Sequence, residues 1–292
     1  MGYPWGPRAE EASSIVQGSD ITWARIAEGK IVVATSARAF LHEDATALGG
    51  PFSVPPEGPA SLAATRNLLD GAVGVAQREG PAPPRRELTL TGWIHRLAGY
   101  FHTTHATPPL MIEARARFEE EGRAALAAWA HEKSRDEHGH DALALRDLAS
   151  LGYDGRALVA AHVPETAAAL VDFFTSLVRG PGDPVRCVGY AFALERLAAT
   201  RSAAEVRAVQ AVLPSGVDAT RCLRVHSAAG TDADHVDDIV TLAACLSHGE
   251  REAIARAAYE TTRIGKISRG SAARSDDELS TMFEPFRVAH GT

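Results

Sequence analysis

Cysteine is nearly absent from this chain: three occur in 292 residues, at Cys187, Cys222 and Cys245, an odd number with no close spacing. That excludes a disulfide framework and a thiolate zinc site. Aromatic residues make up only 6% of the sequence. Nowhere do about 18 apolar residues follow one another, so no segment reads as a membrane span. The start, MGYPWGPRAEE, lacks the basic flank and apolar stretch of a secretory leader. Positive charge is short as well, with Lys+Arg 30 against Asp+Glu 37 and a net charge of −7. A nucleic-acid partner would call for the opposite balance. The expectation is a soluble cytoplasmic protein that acts on a small molecule.

What is present is enough apolar material, 45% of residues, to bury a core without metal or disulfide staples. Residues 1–85 are punctuated by Pro and Gly. They contain a strand-like run at Gly29–Thr35, a short apolar patch at Ala39–Leu41, a loop at Gly49–Ser61 and a helical stretch at Leu62–Gln77. The segment Gly80–Arg86 reads as a linker, because its prolines remove donors and favour an extended backbone. This part is expected to form a small α+β module or arm.

Residues 88–270 are rich in Ala, Leu, Arg and Glu, the strong helix formers. Helices are expected at about 91–106, 108–131, 133–151, 163–179, 184–200, 202–212, 217–246 and 249–265. The breaks between them fall at Pro108-Pro109, Gly152–Gly155, Gly180–Pro184, Pro214–Gly216 and His248-Gly249. Asp183 precedes Pro184 as a capping residue precedes the first helical position. Residues 271–292 read as a loosely ordered tail. The fold class is therefore mainly α: a bundle of seven to eight helices behind a small N-terminal module.

Three clusters could do chemistry. In His131–Asp141, Glu137 and His140 stand three apart, which on one helix puts both on one face. Bundle proteins present carboxylate and imidazole to a dinuclear metal in this way; a solvated charged face is the plain alternative. In GYAFALERL, Glu195 follows an apolar turn beside Arg196, and either a surface ion pair or a half-buried carboxylate in need of a cation explains it. In LRVHSAAGTDADHV, Asp232 and His235 repeat the carboxylate-x-x-histidine spacing, with His226 upstream. A polar helix start capped by Thr231 accounts for the acids but not for the histidines. Together Glu137, His140, Glu195, His226, Asp232 and His235 offer oxygen and nitrogen donors without thiolate, which suits non-haem iron or manganese.

The runs EHGHDALALRDLASLGYD, GYAFALERLA and LRVHSAAGTDADHV, in this order, resemble the haem-oxygenase-like diiron oxidases, the iron-containing redox enzymes, over about residues 90–265. The resemblance implies a helical bundle that holds two ferrous ions between core helices. Glu137 and His140 match the ligands of the first such helix, Glu195 the middle carboxylate, and Asp232 and His235 the last pair. It implies an O2-dependent oxidase or oxygenase acting on a small amine, amino acid or fatty-acid-like substrate, in specialised metabolism. Glu137, Glu195 and Tyr190 would serve catalysis, Tyr190 bordering the pocket with Phe192, and Asp141 or Asp147 would orient an imidazole.

Three other readings keep the fold or drop the chemistry. One is a metal-independent enzyme, either like the PQQ-synthesis oxidase or a thiaminase-like hydrolase with Cys187 or Cys222 as nucleophile. Another is haem on His95, His102 or His105. The third is a helical interaction module without metal. Ala-rich stretches at Ala124–Ala130 and Ala167–Leu170 suggest a homodimer.

The family places a histidine four residues before its Asp, where this chain has Ala228. On an unbroken helix His226 and Asp232 would lie about 240° apart, on nearly opposite faces. The sequence thus predicts a bulge or unwinding between Ser227 and Asp232 that turns His226 toward the site.

Overall fold

The structure, a computed structural model, describes residues 20–43, 52–80, 87–227, 232–271 and 274–288, without the side chains of 232–234 and 267–271. The architecture is mainly helical with a small N-terminal sheet, as the sequence predicts. Its residues divide into two compact units that alternate along the chain. The first comprises the described residues of Met1–Pro81, Gly182–Arg196 and Asp234–Arg263; the second comprises those of Ala82–Pro181, Leu197–Ala233 and Ile264–Thr292.

In the first unit, β1 (Ile21–Ala27), β2 (Lys30–Thr35) and β3 (Ala39–Glu43) form an antiparallel meander in the order β1-β2-β3. Gly29, at φ +66°, makes the tight β1–β2 turn. The register Trp23↔Val33↔Phe40 gathers Trp23, Ile31, Val33 and Phe40 with Phe52 on one face. Helix α1 (Leu62–Arg78) covers the other, and Gly71 comes so close that a Cβ there would lie 2.7 Å from Val32 Cγ1. Both faces are thus covered, which explains why β2 reads as a continuous apolar run rather than an alternating one. β1 escapes sequence reading for the same reason: Thr22, Trp23, Ala24 and Ile26 are all buried, so period-two alternation is missing.

Later segments complete this unit. They are the greater part of α7 (Arg186–Ala199), most of α10 (Asp232–Cys245) and most of α11 (His248–Ser271). Asp183 Oδ1 accepts from the Val185 N–H at 2.8 Å, but α7 begins at Arg186 rather than at Pro184 as expected. Val185, Val188, Ile239, Val240 and Ile254 are buried here.

The second unit is built on α2, which runs unbroken from Leu90 to Glu120. The break expected at Pro108-Pro109 does not occur. The two prolines leave the carbonyls of Thr104 and His105 without helical donors, a cost of about 3 kcal/mol for an interior proline. Apolar residues are buried on both sides of the pair, Trp93, Ile94 and Leu97 before it and Leu110, Met111 and Phe118 after it, and this packing carries the helix through. Then follow α3 (Ala124–Asp136), α4 (His140–Ser150), α5 (Gly155–Ala161), α6 (Glu165–Arg179), α8 (Ala203–Val212) and α9 (Arg221–Val225). Breaks therefore fall at Gly122 and Gly139, both at positive φ, and not near residue 132 as expected.

Residues 276–286, expected in a loosely ordered tail, form α12 (Asp276–Phe283) and a 3-10 turn. Ser275 and Glu278 close a capping box, while Leu279 and Phe283 are buried in the core beside Leu97 and Leu158. Of the Ala-rich stretch at Ala167–Leu170, Ala167 and Leu170 are buried and Ala168 and Ala169 half-buried.

Candidate metal centre

Glu137 and His140 do not share a helix. Gly139 sits at φ +85°, a left-handed conformation that glycine adopts without strain, and there the chain breaks. Glu137 becomes the C-cap of α3 and His140 the first residue of α4. The short turn between them nonetheless keeps the pair in contact, with His140 Nδ1 3.0 Å from Glu137 Oε2. The i,i+3 expectation of one helix face is corrected in its cause, since a turn brings the two groups together.

The third member comes from across the unit. α9 stops at Val225, and His226 follows with φ −97° and ψ 58°, outside helical geometry. The unbroken helix over 217–246 does not form: α9 ends there and α10 begins at Asp232. The departure turns His226 so that its ring centroid stands 4.9 Å from that of His140, at an interplanar angle of 80°. One ligand atom each from Glu137, His140 and His226 lie within 4.8 Å of one another.

α9 is short, and its position is fixed from outside. Asp147, fully buried on α4 two turns after His140, accepts the Cys222 N–H at 3.0 Å on Oδ2. Its Oδ1 accepts the Arg221 N–H and Arg221 Nη1 at 3.3 and 2.9 Å. The helix that begins with His140 thus clamps the start of the helix that ends in His226. Trp93 adds its indole N–H to the Ala219 carbonyl at 2.9 Å, just before α9. Arg201 donates to the carbonyl of His226 itself at 3.3 Å.

Glu137 is 7% exposed. Burial opposes its charge, but the hydrogen bond with His140 and the charges of Lys133 and His226 outweigh it and hold the carboxyl far below the usual carboxylate range. It is therefore an anion at neutral pH, as a ligand must be. The donor set is one carboxylate and two imidazoles, suited to iron, manganese or zinc. Two ligands at right angles, each about 2.1 Å from a common ion, lie about 3.0 Å apart, close to the observed Glu137–His140 separation. The residues present fit a divalent cation.

Of the six ligands expected from sequence, the second unit brings together Glu137, His140 and His226. Glu195 and Tyr190 lie on α7 in the first unit, both buried. His235 lies on α10 in the same unit and is half-buried. The side chain of Asp232 and the whole of Thr231 lie outside the described residues. The two orienting residues have other tasks: Asp141 takes His105 Nδ1 at 2.8 Å, and Asp147 holds α9. The histidines considered for haem each have a protein partner. His95 Nδ1 meets His162 Nε2 at 2.9 Å, His102 Nε2 donates to the His162 carbonyl at 3.1 Å, and His105 meets Asp141. Cys187 and Cys222 are buried and form no disulfide.

One residue at the centre escaped sequence reading. Lys133 places Nζ 2.6 Å from Glu137 Oε1 while only 6% exposed itself. Its i,i+4 spacing to Glu137 was the available signal.

Residues 95–266 match a family described as iron-containing redox enzyme. Among solved structures, a domain of unknown function with a heme oxygenase-like fold from Shewanella denitrificans is similar, with a TM-score of 0.52. The two are 14% identical, and the match covers 75% of this chain and 88% of that one. At that identity the likeness speaks for the fold. No curated protein matches the chain.

Proposed function

This chain belongs to the iron-containing redox enzymes, and on that premise we propose that it is an iron-dependent oxidoreductase using O2. Its first iron would be held by Glu137, His140 and His226. The observation that carries the reading is a carboxylate 7% exposed with two imidazoles from separate segments converging on it. Ferrous iron, when bound, supplies open coordination positions for O2 and the electrons to reduce it.

The chain's own groups do the rest. Glu137 brings negative charge that offsets the cation in a site of reduced dielectric. His140 and His226 offer imidazole nitrogens, and Asp147 holds α9 so that His226 need not be ordered on binding. The sequence adds Glu195, Asp232 and His235 as further ligands, with two irons per chain as the expectation. The substrate class is a small amine, an amino acid or a fatty-acid-like molecule.

Anaerobic loading with ferrous iron, followed by removal of excess and metal analysis, tests this reading. Wild type should retain at least one iron per chain and consume O2 on exposure to air. Glu137→Ala and His226→Ala should each lower retained iron at least tenfold while keeping the wild-type helical circular dichroism. Full retention in both variants would place the metal elsewhere.

A further inference from the structure

Glu137 already has a cation beside it. Lys133, one helical turn earlier on α3, spans to Oε1 at 2.6 Å, while Oε2 faces His140 at 3.0 Å. Both partners of the ion pair are withdrawn from water, at 6% and 7% exposure. An ion pair so placed is costly to desolvate, and well-packed apolar side chains often serve as well or better for stability. The chain is also sparing with lysine, having only Lys30, Lys133 and Lys266 among its 30 basic residues. The buried cation at the centre is thus the compact ammonium rather than the forked guanidinium used in most of the chain's other ion pairs.

We propose that Lys133 is an internal counter-ion of the metal centre that sets its affinity, a role that rests on the metal reading above. By holding Oε1 it leaves Glu137 a single oxygen, Oε2, on the side of the imidazoles. Its positive charge lies one carboxylate away from the place of the dication, and it both competes for Glu137 and repels the incoming ion. The centre therefore binds metal more weakly than its three ligands alone would, and the metal-free chain keeps Glu137 charge-balanced and in position. Lys133 acts through Glu137 and is a positioning residue, with no bond to the metal required.

Cobalt(II) titration of the full-length apo chain, followed by visible absorption, is the test. Lys133→Met and Lys133→Gln both remove the charge, and the second serves if the first does not fold. Each should bind cobalt at least tenfold more tightly than wild type, whereas Lys133→Arg should stay within about threefold of it. The thermal midpoint should also rise more on adding cobalt in the neutral variants than in wild type, a difference that a merely structural lysine would not produce. Neutral variants that bind cobalt as wild type does, or more weakly, overturn the proposal and leave the three-ligand site standing. Cobalt binding unaffected by Glu137→Ala in the wild-type background overturns the site and the lysine role together.

Discussion

His248 begins α11 with its ring edge-on to Trp23, the centroids 4.3 Å apart. Burial first, then the charges of Arg251 on its own helix and Arg25 on β1, push its imidazole down to about 4. The folded chain keeps it neutral where the unfolded chain, titrating near 6.5, takes up a proton. Its contribution to stability is thus whole above about pH 6.5 and is lost as the pH falls toward 4. Urea unfolding at pH 7 and pH 4.5 should show wild type losing stability, with His248→Phe losing less by up to roughly 3 kcal/mol. Equal losses in both proteins would refute the assignment. The three residues that converge were legible in sequence: Glu137, His140 and His226 all stood out as carboxylate and imidazole among small or polar neighbours. Lys133 was not, because a charge on a helix reads as solvated until the fold shows it buried. Asp147, expected to orient an imidazole, instead holds Arg221 and Cys222 at the start of α9.

At the level of elements, glycine decides more than proline. Gly122 and Gly139 end helices that composition alone would continue, whereas Pro108 and Pro109 are absorbed into α2. Sequence reading weighs local preference, and packing on both sides of the proline pair overrides it. The helix boundaries at Gly152–Gly155 and Gly180–Pro184 were legible because turn chemistry and tertiary structure agree there. The break expected between Ser227 and Asp232 begins earlier, since α9 already ends at Val225, and residues 228–231 of that stretch lie outside the described residues. Gly189 on α7 marks a close crossing with α11: a Cβ there would meet the Ile254 carbonyl oxygen at 2.0 Å. Backbone cannot yield as a flexible side chain can. Gly189→Ala should therefore cost at least about 3 kcal/mol by denaturant unfolding, whereas Gly249→Ala, with open space around it, should stay within about 1 kcal/mol of wild type. A stable Gly189→Ala protein would show the two helices farther apart than described.

At the level of the whole molecule, the N-terminal residues belong to a unit finished by much later segments. Tyr259 donates to Glu79 at 2.6 Å, Arg196 pairs with Asp70, and the Ala60 N–H bonds the Ala244 carbonyl. The linker expected at Gly80–Arg86 falls, after Gly80, outside the described residues. Cleavage there should leave both fragments together on native size exclusion and separate them only in denaturant; separation under native conditions would contradict the shared unit. The helical class and one strand of the small N-terminal module were legible in sequence, but contacts between residues about 180 positions apart leave no local pattern to find.

The central claim is that Glu137, His140 and His226 hold iron, and diffraction from iron-loaded crystals on either side of the iron absorption edge tests it most directly. The account predicts an anomalous peak within about 2.3 Å of a carboxylate oxygen of Glu137 and of one nitrogen each from His140 and His226. A peak bonded to other residues, or no peak at that triad in iron-replete crystals, would contradict it.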